Sequence, residues 1–260
     1  MSPIAGKRIL VTGASAGIGE ACARRLAAEG ADLVLWARRI ERLAALADEL
    51  EHDYGRHIHI AQVDVRDRDT VLAAIDGLVQ ADAVPEALVN NAGLASGLAT
   101  VQEGNFDDWD RMIDTNVKGL LNVTRGLLPH MIRLGRGHVV NIGSTAGRMV
   151  YPKGNVYNAT KYAVRALTEA ISLDLVGTPI RVSSVDPGFV ETEFSIVRFG
   201  GDEERARHVY EGFQPLSPAD VADAVHYVLS VPPHVNVLEL MVMPTAQRNI
   251  YVVDRGEQKS

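Results

Sequence analysis

Three side chains of this sequence could together move a proton and stabilise charge on one carbonyl oxygen. Tyr157 and Lys161 lie four positions apart, and Ser144 precedes the tyrosine by thirteen residues. Positions i and i+4 of a helix share one face, so the Lys161 ammonium is expected beside the Tyr157 phenol, where it favours the ionised form. A Tyr-x-x-x-Lys pair is also a common surface pairing on helices, so the catalytic interpretation needs support from other motifs.

A glycine-rich turn between a predicted strand and a predicted helix gives that support. Ile9-Leu10-Val11 runs into Thr12-Gly13-Ala14-Ser15-Ala16-Gly17-Ile18-Gly19. Gly13 permits a tight turn, Gly17 lets the backbone approach a phosphate, and Gly19 lets helix and strand pack closely. The N–H groups of the turn, with Ser15 and Ile18 among its residues, are predicted to face a pyrophosphate. Taken alone, the glycine triplet could equally be a plain turn.

Length, composition and charge favour one α/β domain over residues 1–260. A chain of this length can bury a full core without disulfides or metals. The single cysteine, Cys22, fits a reducing cytoplasm. A net charge of −7 with scattered arginines argues against nucleic-acid and anionic-membrane partners, and the eight histidines have no metal-ligand spacing. No apolar run approaches the roughly 18 residues of a membrane span.

Short apolar runs alternate with longer amphipathic stretches, which is typical of a parallel sheet covered by helices on both faces. The pattern predicts a single-domain, doubly wound Rossmann fold with seven strands. Strands are predicted near 7–12, 32–37, 57–62, 86–90, 137–142, 180–186 and 236–243, and helices near 17–30, 39–53, 67–81, 105–134, 156–176 and 218–230. The polar segment 191–214, which lacks a clear strand, is the predicted substrate lid.

The end of the second strand indicates which dinucleotide is preferred. Ala37 stands where an NAD enzyme of this architecture would carry an acidic residue, and Arg38 and Arg39 follow it. A guanidinium there can bind a 2′-phosphate, so NADP is favoured over NAD. Solvated charges that begin the next helix are the alternative for these two arginines. Further cofactor contacts are predicted at Asp64, Val65, Asn91, Ala92 and Gly93, which follow the third and fourth strands.

Several motifs in one register closely resemble the short-chain dehydrogenase/reductase family. They are Thr12-Gly13-x-x-x-Gly17-x-Gly19, Asn90-Asn91-Ala92-Gly93, Asn116, Ser144, Tyr157-x-x-x-Lys161 and Pro187-Gly188. The resemblance covers nearly the whole chain and implies an NADP-linked oxidoreductase acting on CH–OH groups, organised as a homotetramer. It also implies that Tyr157 is the acid/base, that Lys161 holds the nicotinamide ribose, and that Ser144 binds the substrate oxygen. By the same resemblance, Asn116 orients a water molecule, and Pro187, Gly188, Val190 and Thr192 flank the nicotinamide.

A narrower likeness concerns the substrate. Four segments resemble the NADP-dependent 3-hydroxy acid dehydrogenases: Asn141–Gly147, Gly154–Tyr157, Thr192–Phe199 and Pro233–Asn236. This resemblance implies small substrates such as L-serine, L-allo-threonine or 3-hydroxyisobutyrate. An acidic substrate requires a cation, and Arg198 is preferred over Arg148 and Lys153. The alternatives are a reductase of uncharged ketones, aldehydes or 3-oxoacyl groups, and an NADPH-binding sensor without turnover.

Overall fold

Seven parallel strands form the single sheet of the computed structural model, which describes residues 2–256. The strand order is β3-β2-β1-β4-β5-β6-β7, so the order reverses between β1 and β4. In open sheets of this kind, ligands bind at the carboxyl ends of the strands beside that reversal. The strands are β1 (Arg8–Thr12), β2 (Asp32–Ala37), β3 (Ile58–Gln62), β4 (Ala87–Asn90), β5 (Gly137–Ile142), β6 (Ile180–Pro187) and β7 (Glu239–Val242).

Helices cover both faces of the sheet and alternate with the strands through most of the chain. They are α1 (Gly17–Ala28), α2 (Ile40–Tyr54), α3 (Arg68–Gln80), α4 (Phe106–Ile113), α5 (Leu120–Leu134), α6 (Asn155–Asp174), α7 (Glu193–Arg198), α8 (Glu203–His208) and α9 (Pro218–Ser230). The predicted doubly wound α/β fold is confirmed, and each of the seven predicted strands is present. The last strand is shorter than predicted.

Two apolar cores lie on opposite faces of the sheet because neighbouring strand residues point in opposite directions. Ile9 and Val11 belong to the core beneath α1, α2 and α9, whereas Leu10 belongs to the core beneath α3, α5 and α6. Strands buried on both faces are continuous apolar runs in the sequence, which is why their positions were predicted well. Because the strands are packed on both faces, their carboxyl ends, which carry the site, are held in place.

The predicted long helix at 105–134 is wrong in one respect, because it is interrupted. A π-helical segment, Asp114–Gly119, separates α4 from α5. A side chain at Gly119 would collide with Val65, so the segment packs closely against the chain after β3. Such π segments often occur at functional sites, and this one carries Asn116.

The predicted lid segment, 191–214, contains the two short helices α7 and α8. Val190, just before the segment, forms an isolated β-bridge with Leu216, just after it. The two ends of the segment therefore lie side by side. Within residues 2–256, none of the helices combines the length and apolar character needed to cross a membrane. In that same part of the chain, no cluster of three metal-ligating side chains occurs.

Candidate active site

Ser144 lies just beyond β5 and caps a short 3₁₀ turn. Its Oγ accepts a hydrogen bond from the Ala146 N–H at 3.1 Å, and its backbone is extended. The hydroxyl also lies close enough to the side chain of Tyr157, in the first turn of α6, to lower the pKa of that phenol. The structure therefore brings together the serine and the tyrosine that the sequence spacing suggested.

Tyr157 is buried, and its ring packs edge-on against Phe194 at a centroid distance of 5.7 Å. Burial raises the pKa of the Tyr157 phenol well above its ordinary value, and the nearby Tyr151 adds to this. The Ser144 hydroxyl and the charge of Arg198 lower the same pKa but do not offset burial. The groups of this chain alone thus favour the neutral phenol, in contrast to the expected stabilisation of the phenolate.

Lys161 follows Tyr157 by one helical turn and is also buried. Its Nζ donates a hydrogen bond to the Ile142 carbonyl at 2.9 Å and lies 6.0 Å from the Tyr157 ring centroid. Burial lowers the pKa of Lys161 to about 8, while the charge of Asp186 opposes that change. The ammonium therefore titrates close to the pH range in which enzymes operate.

Asn116 is almost fully buried in the π-helical segment. Its Oδ1 accepts from the Leu94 N–H at 2.9 Å, and its Nδ2 donates to the Leu94 carbonyl at 2.8 Å and to Thr160 Oγ1 at 3.0 Å. A Cβ placed on Gly93 would lie 3.3 Å from Asn116 Oδ1 and 3.9 Å from Lys161 Nζ. The asparagine thus ties the chain after β4 to α6 beside Lys161.

Arg198, at the end of α7, approaches the same tyrosine from the predicted lid. Its guanidinium carbon lies 5.7 Å from the Tyr157 ring centroid and 5.3 Å from that of Tyr151. Nη2 donates to the Tyr151 hydroxyl at 2.8 Å. The Arg198 Nε is buried and has no hydrogen-bond partner within residues 2–256. A buried donor without a partner is costly, which marks this guanidinium as available to a ligand.

The other two cations considered from the sequence are placed differently. Arg148 pairs with Asp186 at 2.8 Å and with Glu239 at 2.7 Å, so its charge is already neutralised. Lys153 is exposed and adopts a left-handed backbone conformation, with φ of 66°. Of the three candidates, Arg198 is the one that lies beside Tyr157.

The glycine-rich turn fits a dinucleotide. Gly13 and Gly17 have φ of 66° and 56°, values that favour glycine, and a side chain at Gly19 would collide with the Gly13 carbonyl and the Asn91 amide. The N-cap residue of α1, Ala16, has no side chain able to bond the first-turn N–H groups. These groups are therefore free to bind a phosphate at the positive end of the helix dipole.

A cluster of charged residues lies at the end of β2. Arg39 Nε donates to Ser15 Oγ at 3.2 Å, and Arg39 Nη1 pairs with Glu193 at 3.1 Å. Arg42, one turn later on α2, pairs with the same carboxylate at 2.8 Å. The Arg38 side chain is exposed. The sequence analysis missed Arg42, although its position three residues after Arg39 on a helix was a usable signal.

The remaining predicted cofactor residues have varied local roles. Asp64 forms an ion pair with Arg66 at 2.6 Å, and this pairing lowers the pKa of its carboxyl. The Val65 carbonyl accepts from Asn122 at 2.9 Å. Asn91 donates from its side chain to the Thr12 carbonyl at 2.9 Å and so holds β4 against the glycine-rich turn. The next backbone N–H, that of Ala92, donates to Thr12 Oγ1 at 3.0 Å.

The segment after β6 reaches back over the glycine-rich turn. Thr192 caps α7 and lies so close to Gly17 that a Cβ there would be 3.4 Å from its side chain. A side chain at Gly188 would collide with the amide of Gln247. The Val190 carbonyl accepts from the Tyr210 hydroxyl at 2.8 Å. Phe194, Glu193 and Tyr151 are the contacts in this region that sequence reasoning missed.

Comparisons with known proteins agree with this geometry. The family model for short chain dehydrogenases matches residues 7–199. The chain is 46% identical to the NADP-dependent 3-hydroxy acid dehydrogenase of Salmonella typhi over 240 residues, which are 92% of this chain and 95% of that protein. It is also 46% identical to sulfoacetaldehyde reductase 2 of Chromohalobacter salexigens over 249 residues, 95% of this chain and 98% of that one.

Among solved structures, the chain is similar to a serine dehydrogenase in its closed form with NADP⁺. The TM-score is 0.87 and the identity 44%, over 92% of this chain and 96% of the other. Four observations point to the same family: the matched length, the sequence identity, the strand order, and the grouping of serine, tyrosine and lysine at the strand ends. The chain belongs to the short chain dehydrogenase family.

Proposed function

We propose that this protein is an NADP-dependent oxidoreductase that interconverts a hydroxyl and a carbonyl on small 3-hydroxy acids, with Tyr157 as the acid/base. The observation that carries the substrate class is the guanidinium of Arg198, which lies 5.7 Å from the Tyr157 ring with its Nε buried and unpaired among the described residues. A carboxylate bound there by two hydrogen bonds would bring the neighbouring carbinol close to the phenol.

The cofactor residues fit NADP. The first-turn N–H groups of α1 and the glycine-rich turn would hold the pyrophosphate, and Ser15, Arg39 and Arg42 would hold the 2′-phosphate. We propose Arg38, Asp64 and Val65 for the adenosine side. The residues proposed near the nicotinamide are Asn91, Ala92, Gly93, Pro187, Gly188, Val190 and Thr192. When bound, NADP(H) supplies or accepts the hydride at the carbinol carbon.

The chain's own groups would move the proton. Tyr157 takes the hydroxyl proton during oxidation and returns it during carbonyl reduction. Ser144 donates a hydrogen bond to the substrate oxygen as negative charge develops on it. Lys161 places a positive charge beside the tyrosine and binds the nicotinamide ribose, and Asn116 positions the backbone at Leu94 beside that lysine. Because burial raises the pKa of Tyr157, this positive charge is needed for the phenolate to form.

A second candidate substrate class follows from the similarity to sulfoacetaldehyde reductase. In L-serine and in a 2-hydroxyalkyl sulfonate alike, the anionic group is separated from the carbinol carbon by one carbon. The same guanidinium could therefore bind a carboxylate or a sulfonate at the same distance from Tyr157. Both candidates predict an anionic substrate, whereas a reductase of uncharged ketones or 3-oxoacyl groups would make no use of the unpaired Arg198 Nε.

We also expect a homotetramer, as the family resemblance implies. Exposed apolar side chains on α5 and α6 support an association through these helices, namely Leu121, Ile132, Tyr162 and Leu173. Sedimentation velocity on the purified protein would measure the assembly, and a single monomeric species would contradict this expectation.

The experiment that tests the function is absorbance at the NADPH band with a substrate panel. The purified protein is mixed with NADP or NAD and with L-serine, L-allo-threonine, 3-hydroxyisobutyrate, 2-hydroxyethanesulfonate or uncharged secondary alcohols. NADP-linked oxidation restricted to the anionic compounds supports the proposal, and their relative kcat/KM separates carboxylates from sulfonates. Activity on uncharged alcohols alone would reject the substrate class, and NADPH binding without turnover would favour a sensor.

A further inference from the structure

A buried carboxylate that no motif assigns lies directly behind the candidate active site. Asp186, near the end of β6, is 2% exposed. Its Oδ2 accepts from Arg148 Nη2 at 2.8 Å and from Nε at 3.2 Å, and its Oδ1 accepts a hydrogen bond from the Ser184 hydroxyl. A buried carboxylate is retained only at a considerable desolvation cost, so its position calls for a function.

The carboxylate packs against the short stretch of backbone that carries the site. A Cβ at Gly143 would collide with Asp186 Oδ1 and would lie 2.8 Å from Ser184 Oγ, so only glycine fits there. Gly143 stands between Ile142, whose carbonyl accepts from Lys161 Nζ at 2.9 Å, and Ser144. Asp186 and Lys161 therefore both contact the three residues 142–144.

The charges behind Asp186 are balanced. Arg148 also pairs with Glu239 at 2.7 Å, and Glu239 pairs with Arg165 at 2.9 Å. Arg165 follows Lys161 by four residues on α6. Arg165 also pairs with Glu169 at 3.4 Å, so three carboxylates face two guanidinium groups, and the Lys161 ammonium at the inner end brings the charges into balance.

We propose that Asp186 is a positioning residue of the reaction, whose fixed negative charge keeps Lys161 in its ammonium form beside Tyr157. This inference rests on the proposed function of Tyr157 and Lys161, and it holds for any hydroxyl substrate. Arg148 and Ser184 hold the carboxylate in place, and Gly143 allows it to approach the backbone that Lys161 binds.

The other groups that face this pair do not replace Asp186. On α6 itself the neighbour of Lys161 is Tyr157, and the guanidinium of Arg198, from the predicted lid, lies 5.7 Å from the centroid of that ring. The π-helical segment contributes the neutral Asn116, while its Asp114 pairs with Lys118 at 2.7 Å at the surface. Burial lowers the pKa of Lys161 to about 8, and Asp186 is the group whose charge opposes that change.

The test is the pH dependence of kcat/KM for alcohol oxidation in three variants. Asp186→Asn keeps the shape but removes the charge, so Lys161 loses its proton at lower pH and no longer favours the phenolate. The acid limb, where kcat/KM falls as the pH is lowered, is expected to shift to higher pH by about 0.5 to 1 unit. At any pH below the limb, kcat/KM should therefore be about three- to tenfold lower than in the wild type. Arg148→Gln leaves Asp186 without its neutralising partner, so the limb is expected to move downward.

Glu239→Gln is the matched control, because it removes a carboxylate that binds the same arginine without contacting residues 142–144. Its limb is expected to stay within error of the wild type, whatever happens to stability. Shifts of opposite sign in the Asp186 and Arg148 variants support the inference, because a merely structural defect would not reverse its direction. If the Asp186 variant does not fold, the Arg148 variant tests the inference alone, and a shift of its acid limb to lower pH supports the role of Asp186.

An unmoved limb in folded Asp186→Asn, or an upward shift in Arg148→Gln, would overturn the role of Asp186. A wild-type protein that is silent with every alcohol and either dinucleotide would instead overturn the proposed function, on which this inference depends. The two failures are thus distinguishable from the wild-type control alone.

Discussion

The guanidinium of Arg198 donates a hydrogen bond to the Tyr151 hydroxyl at 2.8 Å. This bond holds the guanidinium over the Tyr157 ring, although the arginine and the two tyrosines come from segments about forty residues apart in the chain. A cation oriented in this way can select substrates by charge.

Replacing Arg198 by alanine is expected to impair oxidation of anionic substrates. Loss of a charge-assisted hydrogen bond costs about 1.5 to 3 kcal/mol, which corresponds to a fall of roughly 10- to 100-fold in kcat/KM, mainly through KM. Initial rates with L-serine and with an uncharged alcohol measure the effect, and the uncharged alcohol should change little. Arg205→Ala is the control, because Arg205 stacks on Phe199 in the same predicted lid segment. Equal losses for both substrates would sink the charge-selection hypothesis.

Replacing Tyr157 by phenylalanine is expected to abolish proton transfer while preserving the fold. The ring would still pack against Phe194, so the variant should retain its Tm and its affinity for NADPH. The rate should fall by about 10²- to 10⁴-fold, as is usual for loss of a general acid or base. Tyr54→Phe, at the exposed end of α2, provides the control. A Tyr157 variant with near-normal kcat would assign the acid/base role to another group.

Replacing Lys161 by methionine is expected to stabilise the protein while inactivating it. Burial lowers the pKa of Lys161 to about 8, so folding disfavours its charged form. The penalty is fully present below pH 8 and disappears as the pH rises to the ordinary lysine value of about 10.4. Thermal unfolding at pH 7 should show a gain of roughly 1 to 3 kcal/mol, reduced by loss of the bond to Ile142.

The same comparison at pH 10 is the internal control, because the gain should largely vanish there. A Lys161→Met protein that is less stable than the wild type at pH 7 would contradict this prediction. It would show that the contacts of the Lys161 ammonium offset the cost of burying its charge. Lys118→Met, which removes an exposed lysine, should show neither the gain nor its pH dependence.

Replacing Glu193 by glutamine is expected to strengthen NADP binding. Glu193 pairs with Arg39 and Arg42, which are the cations proposed for the 2′-phosphate, so the carboxylate competes with the ligand. Exposed ion pairs contribute about 0.2 to 1 kcal/mol each, so the Kd for NADP should fall by roughly two- to tenfold. Calorimetric titration with NADP and NAD measures the effect, which should be absent for NAD.

Arg39→Ala is expected to have the opposite effect on NADP binding in the same titrations with NADP and NAD. It should weaken NADP binding without weakening NAD binding, since the 2′-phosphate is the group proposed to bind this cation. Weaker NADP binding in Glu193→Gln would mean that the carboxylate helps to hold the bound cofactor in place.

The sequence predicted those parts of the fold whose signals are local. The strands were found because runs such as Ile9-Leu10-Val11 are buried on both faces. The break at Asp114–Gly119 was missed because a single π-helical turn leaves little trace in the apolar pattern, and the close packing of Gly119 on Val65 joins residues far apart in the chain.

Ser144, Tyr157 and Lys161 could be proposed as one site because residue type and spacing alone suggest their chemistry. The pairing of Arg148 with Asp186 could not, since it joins residues 38 positions apart through the register of β5 and β6. Because Arg148 is already paired with carboxylates, Arg198 stays the preferred candidate for the substrate cation. Ion pairs across a sheet have no local sequence signal.

Three consecutive residues after β6 contact three parts of the site. Thr192 lies against Gly17, Glu193 binds Arg39, and Phe194 packs on the Tyr157 ring. A substrate held by Arg198 would therefore keep this segment seated across the path by which a dinucleotide enters. The expected consequence is kinetic: the cofactor should bind first and leave last, and departure of the product from Arg198 should free the segment before the dinucleotide is released.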